Sequence, residues 1–161
     1  MVVTCGATLV GCQSQPAPSF EVTNVAITEQ SPAPGGMVVT FRVKADNRGE
    51  EALPLRTVHY SFSLDGRPVF SGRRAAEATI RRYGSQEFLL PVALTLGEGG
   101  DLPSAPSGKM PYSLTGTVEY EVPGSIAEVL FDTGIRRPSA TFGESGVLDF
   151  SEIGPAPAPM N

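Results

Sequence analysis

The chain has 161 residues, a length typical of one domain, with 18 glycines, 15 prolines and no tryptophan. Glycine and proline interrupt regular structure so often here that many short strands are favoured over long helices. The formal net charge at pH 7 is −5, and no run of Lys or Arg is longer than two. Because nucleic-acid affinity depends on neutralising phosphates, we expect no nucleic-acid partner.

The first predicted element is a signal for lipid attachment. Residues 9–12 read Leu-Val-Gly-Cys, so small and apolar residues lead directly into Cys12 behind a short apolar stretch. This pattern is typical of a lipoprotein signal peptide, whose removal as residues 1–11 would leave Cys12 as a lipidated N-terminus. The stretch lacks the Lys or Arg that usually begins a secretory signal, so an ordinary apolar N-terminus with incidental thiols is the alternative.

Residues 12–19 are polar and Pro-rich, and they are predicted to be an extended tether that lets the domain stand off a surface. A lipidated cysteine usually carries more than one acyl chain, as stable anchoring requires. The prediction therefore places the protein in the cell envelope, attached to a membrane on its periplasmic or extracellular face. Both cysteines, Cys5 and Cys12, lie at the front, so no disulfide is expected within the domain.

Alternation of apolar and polar residues is the main pattern in the rest of the chain, and it is typical of strands with one wet face. Asp65-Gly66 is the strongest hairpin signal, because a type I′ turn needs positive φ at its central positions. The predicted strands are residues 20–28, 39–46, 58–64, about 67–71, 86–96, 112–122, 128–132 and 147–151.

Three positions interrupt this alternation. The phase of the first strand slips near Asn24, Pro91 demotes its strand to an edge or marks a bulge, and Gly116 falls on an inward face, where it indicates a bulge or a close approach. Residues 73–82 could form a turn or two of helix, and residues 97–111 are Gly/Pro/Ser-rich and predicted to be a loop.

Roughly seven short strands over residues 20–153 predict one all-β domain, a two-sheet antiparallel β-sandwich that is fibronectin type III/immunoglobulin-like. The absence of tryptophan and of a disulfide pair argues against a true antibody-type domain. Residues 154–161, Gly-Pro-Ala-Pro-Ala-Pro-Met-Asn, are predicted to be a disordered Pro-Ala tail.

The middle of the chain resembles a known family. Residues 47–55 read Asn-Arg-Gly-Glu-Glu-Ala-Leu-Pro-Leu, and residues 58–72 hold an alternating strand, the Asp-Gly hairpin and a closing glycine. Residues 84–92 and a Tyr-x-Leu-x-Gly-x-Val strand at 112–118 follow in the same order. Together they resemble the late embryogenesis abundant type 2 family, also called the WHy (water stress and hypersensitive response) domain, over about residues 20 to 150.

The chain departs from this family at two places. The family usually has Asn-Pro-Asn where this chain has Asn47-Arg48-Gly49, although Gly49 can still supply positive φ for a turn. Many members carry a helix before the Tyr-x-Leu strand, and residues 97–111 are too rich in Gly and Pro for one.

The resemblance implies a fibronectin-like sandwich with a stress-protective (desiccation or osmotic) or accessory binding role. It implies no catalytic residues and no cofactor. The expected partners are the membrane, through lipidated Cys12, and client proteins or envelope components that contact an exposed patch or an open sheet edge. The alternative is a periplasmic carbohydrate-binding or hydrolytic domain on the same sandwich, which would need a pocket that gathers several polar side chains.

Few residues could support catalysis or metal binding. His59 is the only histidine and lies on a polar strand face, so a surface position is expected rather than a catalytic triad or a zinc site. Solvated faces are also expected for the acidic and basic groups, with acid/base or calcium chemistry, or binding to anionic headgroups or polysaccharide, as their alternatives. These groups are Glu50-Glu51, Glu119/Glu121, Arg73-Arg74, Arg81-Arg82 and Arg136-Arg137.

Overall fold

The computed structural model describes residues 15–28, 36–95, 101–102 and 106–151. Within them the chain forms seven strands and one helix. In chain order these are β1 (Ser19–Thr28), β2 (Gly36–Asp46), β3 (Leu53–Leu64), β4 (Arg67–Ile80), β5 (Ser85–Thr95), β6 (Lys109–Tyr120), α1 (Ser125–Asp132) and β7 (Ser139–Asp149). The predicted signal peptide (1–11), Cys12 and the tail (154–161) lie outside the described residues.

The strands form two antiparallel sheets. The three-stranded sheet has the order β1-β2-β5, and the four-stranded sheet has the order β4-β3-β6-β7. The prediction of an all-β chain with about seven strands in two antiparallel sheets is confirmed. Its finer part, the likeness to fibronectin type III or immunoglobulin domains, stays a prediction.

The core lies between the two sheets and is made by the alternation that the sequence shows. Every second residue is buried along β2, along β3 apart from a register shift between Leu55 and Thr57, and along β5 from Phe88 onwards, because successive side chains of a strand point to opposite faces. Phe41, Phe62, Leu90 and Leu114 are completely excluded from solvent. Burying one such side chain contributes about 1.5–3 kcal/mol, so this layer is the main source of stability.

Three local predictions are confirmed. The register of β1 against β2 shifts between Val22 and Asn24, which is the expected irregularity. Asp65 and Gly66 both have positive φ, 50° and 73°, as a type I′ hairpin requires. Pro91 lies on β5, an edge strand, where a missing N–H costs no ladder hydrogen bond.

Gly116 is a close-approach position, as its inward phase suggested. It is paired with Phe142 of β7, and the phenyl ring lies over the glycine. A Cβ atom at Gly116 would stand 2.3 Å from Cζ of Phe142, which is closer than two carbon atoms can come. The four-stranded sheet can therefore place an aromatic ring across β6 only because residue 116 has no side chain.

Two predictions of local structure are wrong. Residues 73–82 are not a helical turn, because β4 pairs with β3 from Arg67 as far as Ile80. Residues 128–132 are not a strand but belong to α1. Ala127, Leu130 and Phe131 are half-buried or buried whereas Ile126 and Val129 are exposed, and a spacing of three and four residues is a helical period rather than a period of two.

The ends of two further segments differ from expectation. The last strand begins at Ser139 rather than residue 147 and ends at Asp149, because it pairs with nearly the whole of β6. β6 begins at Lys109 and so includes the last three residues of the predicted 97–111 loop. Much of that loop, at residues 97–100 and 103–105, lies outside the described residues.

Candidate functional site

A shallow groove of about 600 Å³ lies on the outer face of the four-stranded sheet. Strand pairing brings the outward side chains of all four strands together in rows, because paired residues share a face. One row joins Ser71, Ser61 and Thr115, and the next joins Arg73, His59, Thr117 and Thr141. The groove therefore presents five hydroxyl groups and two side chains that can carry positive charge.

The hydrogen bonds within the groove are few and exposed. Ser61 Oγ donates to Ser71 Oγ at 3.2 Å. His59 is half exposed, which confirms its predicted surface position, and its Nε2 atom lies 3.9 Å from Oε1 of Glu119. The hydroxyl groups of the groove are available to a hydrogen-bonding ligand, and the Arg73 guanidinium favours one with negative charge.

The two carboxylates of Glu119 and Glu121 do not form a site together. β6 ends at Tyr120, so Glu121 leaves the strand face and is buried, where its Oε2 accepts a 2.8 Å hydrogen bond from Nε of Arg56 and a second from Nη2. The expectation of a solvated Glu121 is wrong, because the chain turns there. Within the described residues, no group of three or more His, Cys, Asp or Glu side chains could hold a metal ion.

A second feature is the buried amide of Asn47, which joins two loops at one end of the sandwich. Its Nδ2 atom donates to the carbonyl oxygens of Glu51 (2.7 Å) and Arg81 (3.2 Å), and its Oδ1 accepts from the N–H of Gly49 (2.8 Å). Gln15, before β1, also donates from Nε2 to the Glu51 carbonyl at 3.0 Å. The amide fixes the turn that the family resemblance places at residues 47–49, with arginine in the place of proline, but Gly49 does not have the positive φ that we expected there.

The helix α1 lies at this same end, between β6 and β7. Phe131 is its buried residue, and the guanidinium groups of Arg56 and Arg137 lie 6.0 Å and 5.6 Å from the centre of its ring. The other side of the helix is open, since Ile126 is 76% and Val129 60% exposed. In the described part of the chain, no helix is long and apolar enough to cross a membrane.

The three arginine doublets occupy different surroundings. Arg81-Arg82 and Arg136-Arg137 are exposed at the α1 end, which confirms their predicted position in loops. Arg73-Arg74 lies within β4 instead: Arg73 lines the groove, and Nη1 of Arg74 donates to the carbonyl of Leu89 at 3.2 Å.

The free edge of β5 has many of its backbone groups occupied. Besides Arg74 on Leu89, the hydroxyl of Tyr60 donates to the carbonyl of Pro91 at 2.6 Å, and the pKa of Tyr60 is raised because burial disfavours its ionised form. At the end of the strand, the N–H of Thr95 donates to Oδ2 of Asp101 at 2.8 Å. Side chains from the opposite sheet and the following loop thus cover this edge.

Sequence reasoning missed three of these features. The ion pair of Arg56 with Glu121 and the burial of the Asn47 amide join residues far apart in the chain, so no local pattern reports them. The exposed apolar side of α1 was missed because its residues were assigned to a strand. Reading residues 127, 130 and 131 as the inner side of a helix would have placed Ile126 and Val129 on its outer side.

An all-β chain with two packed sheets and a shallow polar groove is the class of protein that these observations define. A model of a family described as late embryogenesis abundant protein (LEA_2) matches residues 42–129, more than half of the chain. The chain therefore belongs to the late embryogenesis abundant type 2 family, whose members are generally not enzymes.

Solved structures support the fold. The chain is similar to a provisionally named late embryogenesis abundant protein solved in solution, with 14% identity, coverage of 86% of this chain and 74% of that one, and a TM-score of 0.63. It is also similar to a solution structure from Arabidopsis thaliana (10% identity, 96% of each chain, TM-score 0.61). An X-ray structure of a structural-genomics target shows 14% identity, coverage of 92% and 98%, and a TM-score of 0.54. No curated protein matches the chain.

Proposed function

We propose that this chain is a lipid-anchored, non-catalytic envelope protein of the WHy type, with a stress-protective role under desiccation or osmotic stress. Membership of the late embryogenesis abundant family is the observation that carries the proposal. The sequence Leu-Val-Gly-Cys at residues 9–12 supports attachment through a lipid on Cys12. The finer fold assignment, fibronectin type III/immunoglobulin-like, is part of the same proposal, and the division of seven antiparallel strands into sheets of three and four supports it.

The groove on the four-stranded sheet is the surface that we assign to contacts with clients or envelope components. Its hydroxyl groups can replace water at a polar surface, because each both donates and accepts hydrogen bonds. A groove this open contacts a broad surface better than it encloses a small molecule. It therefore suits an accessory or protective role that depends on surface contact.

A second candidate function is recognition of an envelope polysaccharide. The same groove favours it, since Arg73 and the neighbouring hydroxyl groups of Ser61, Thr115 and Thr117 could bind an acidic or hydroxyl-rich sugar chain. Direct binding to anionic polysaccharide would support this candidate, and protection of a dried enzyme without such binding would support the first.

The anchor is tested by the variant Cys12→Ala, expressed in a bacterium that processes lipoproteins. The parent protein should be found in the membrane fraction, with an intact mass equal to residues 12–161 plus acyl chains. Cys12→Ala should be released from membranes, and the matched control Cys5→Ala should not change the mass or the location. Retention of Cys12→Ala in membranes, or an unmodified full-length parent, would contradict the anchor.

The protective role is tested by drying a desiccation-sensitive enzyme with and without the protein. The parent should preserve enzyme activity at a molar ratio near one, and the groove variant Thr115→Val/Thr117→Val should preserve less of it. The control Thr23→Val changes a hydroxyl on the other sheet. Equal performance of both variants would remove the groove from the proposal.

A further inference from the structure

One end of the sandwich combines the α1 helix with the loops at residues 47–51 and 81–84. We call this surface, together with the connections at 121–124 and 133–138, the α1 end. β2, β4 and β6 end there and β3, β5 and β7 begin there, so strand direction places all these segments on one side of the molecule.

We infer that the α1 end lies against the membrane that carries the anchor, with the exposed side of α1 among the lipid headgroups. This inference rests on the proposed lipid attachment at Cys12. It adds an orientation and a second contact, made by the folded domain itself, to an attachment that would otherwise fix only the position of the N-terminus.

The first argument is the length of chain available. Gln15 is held at the α1 end by its 3.0 Å hydrogen bond to the carbonyl of Glu51, and Pro18 is buried. Only residues 13 and 14 separate Cys12 from Gln15, so of the tether predicted over residues 12–19 these two alone would lie between the lipid and the domain. An extended chain spans at most about 3.6 Å per residue, so an acyl group on Cys12 keeps the α1 end within about 10 Å of the bilayer surface.

The second argument is the placement of exposed apolar side chains. Six large apolar side chains are exposed in the described residues, and four of them lie at the α1 end, which concentrates apolar area there. These four are Tyr83, Ile126, Val129 and Ile135. A surface of this kind marks a site of contact with a membrane or a protein.

The third argument is the arrangement of residues around α1. At 100° per residue, the exposed side chains of Ile126 and Val129 are 60° apart on the helix, Glu128 lies well away from both at 100° or more, and Asp132 lies at the border, 60° from Val129. The exposed apolar side of α1 is therefore narrow, with Asp132 at one border. A helix with this division lies in the plane of a membrane interface with its apolar side towards the acyl chains.

The fourth argument is charge. The chain as a whole has a net charge of −5, whereas the exposed charges of the α1 end are nearly balanced, with five arginines against four carboxylates: Arg48, Arg81, Arg82, Arg136 and Arg137 against Glu50, Glu51, Glu128 and Asp132. Arginine beside an apolar surface is attracted to the anionic headgroups of lipids. The combination of apolar side chains with arginine favours a lipid bilayer over an apolar protein partner.

A single tryptophan reporter tests the orientation, because the chain has no tryptophan of its own. Val129 on α1 and Val147 on β7 are a matched pair, 60% and 62% exposed. Val147 lies eight residues along β7 from the α1 end, which is about 26 Å at the rise of a strand. Val129→Trp and Val147→Trp are made in a Cys5→Ala background, where Cys12 is the only thiol.

Each variant is coupled through Cys12 to a maleimide lipid in vesicles of phosphatidylcholine with one-third phosphatidylglycerol. We expect the emission of Val129→Trp to shift to the blue by about 10 nm on coupling, and that of Val147→Trp to stay unchanged. Equal melting curves of the two variants in solution confirm that both are folded. No shift for Val129→Trp, or a shift of the same size for Val147→Trp, would overturn the inference.

This design separates the orientation from the anchor. The coupling is chemical, so its result does not depend on whether cells acylate Cys12, which the intact mass measures. A blue shift of Val129→Trp that grows with protein concentration in the absence of vesicles would assign the surface to a second copy of the chain and overturn the membrane orientation. Loss of the shift in Arg81→Ser/Arg82→Ser would support the contribution of the arginines.

Discussion

The centre of the sandwich and its α1 end are stabilised by different kinds of contact. In the centre, Phe41, Phe62 and Leu114 pack between the sheets without any polar partner. At the α1 end, the core also contains two buried polar side chains, the amide of Asn47 and the carboxylate of Glu121, and each is satisfied by specific hydrogen bonds.

This difference teaches how each region responds to change. Apolar packing has no direction and tolerates side chains of similar volume, whereas a buried hydrogen-bonding group is costly as soon as one partner is lost. Apolar substitutions of similar volume should therefore be mild in the centre. An unpaired charge in the centre, or the loss of the Asn47 amide at the α1 end, should be severe. The four predictions below test this contrast, beginning with the largest effect.

The largest effect is expected from placing a charge in the centre. Leu90 is completely buried between the sheets, so Leu90→Asp would leave a carboxylate without a partner. We expect loss of more than about 4 kcal/mol of the free energy of unfolding, and hence little soluble protein. The control is the neighbour Leu89→Asp, on the 48% exposed outer face, which should change stability by less than about 0.5 kcal/mol. Equal urea unfolding curves would show that the assigned face of β5 is wrong.

The second effect is expected at the α1 end. Asn47→Ala leaves the N–H of Gly49 and the carbonyls of Glu51 and Arg81 without this partner. We expect a loss of about 3 kcal/mol, measured by urea unfolding. Asn24→Ala, at the exposed irregularity of β1, serves as the control and should be nearly neutral. A loss of unfolding free energy no larger than that of the control would mean that water replaces the hydrogen bonds of the Asn47 amide.

The third effect concerns ion pairs of unequal burial. Arg56→Ala leaves the buried Glu121 carboxylate without its two hydrogen bonds, and we expect a loss of about 1–2 kcal/mol because Arg56 itself is half exposed. Arg42 and Glu87, 3.1 Å apart, form an exposed pair, so Arg42→Ala should cost only about 0.5 kcal/mol. Thermal unfolding of both variants measures the difference. Equal stability losses in Arg56→Ala and Arg42→Ala would mean that the Glu121 carboxylate is solvated.

The smallest effect is expected for Tyr60→Phe, which removes the hydrogen bond to the Pro91 carbonyl and should cost about 1 kcal/mol at pH 7. Burial raises the pKa of Tyr60, and also of Tyr112 and Tyr120, above the ordinary 10.0. Above pH 10 the unfolded chain loses these protons first, so the parent should lose stability as the pH rises.

The same measurement tests that pH dependence. Stability should be constant with respect to these tyrosines below pH 10 and should fall through the range of their raised pKa values. In Tyr60→Phe one of the three contributions is absent, so the fall should be shallower. An identical slope in parent and variant between pH 10 and 11 would contradict the burial of this hydroxyl group.

The sequence predicts the strands because alternation is a local signal with a period of two. Phe88, Leu90, Val92 and Leu94 show this most clearly, since all four are buried as their phase requires. The helix α1 was not predicted, because eight residues are too few for a helical period to stand out from alternation. Its position is set by the chain reversal between β6 and β7.

The candidate site was only partly predictable. The surface position of His59 follows from its phase on β3, but the rows of hydroxyl groups depend on which strands are neighbours and in which register. The partners of Asn47 and Glu121 are fixed by contacts across 34 and 65 residues of sequence. A single sequence gives no local signal for such pairs.

The covered edge of β5 has a consequence for the protein at high concentration. An open strand edge is a template on which a second chain can add a strand, and that is how many β proteins aggregate. On β5 the carbonyls of Leu89 and Pro91 are already occupied by Arg74 and Tyr60, and Pro91 offers no N–H. As water is withdrawn and the protein concentration rises, the edge of β5 therefore offers few free backbone groups to which a strand of another molecule could bind.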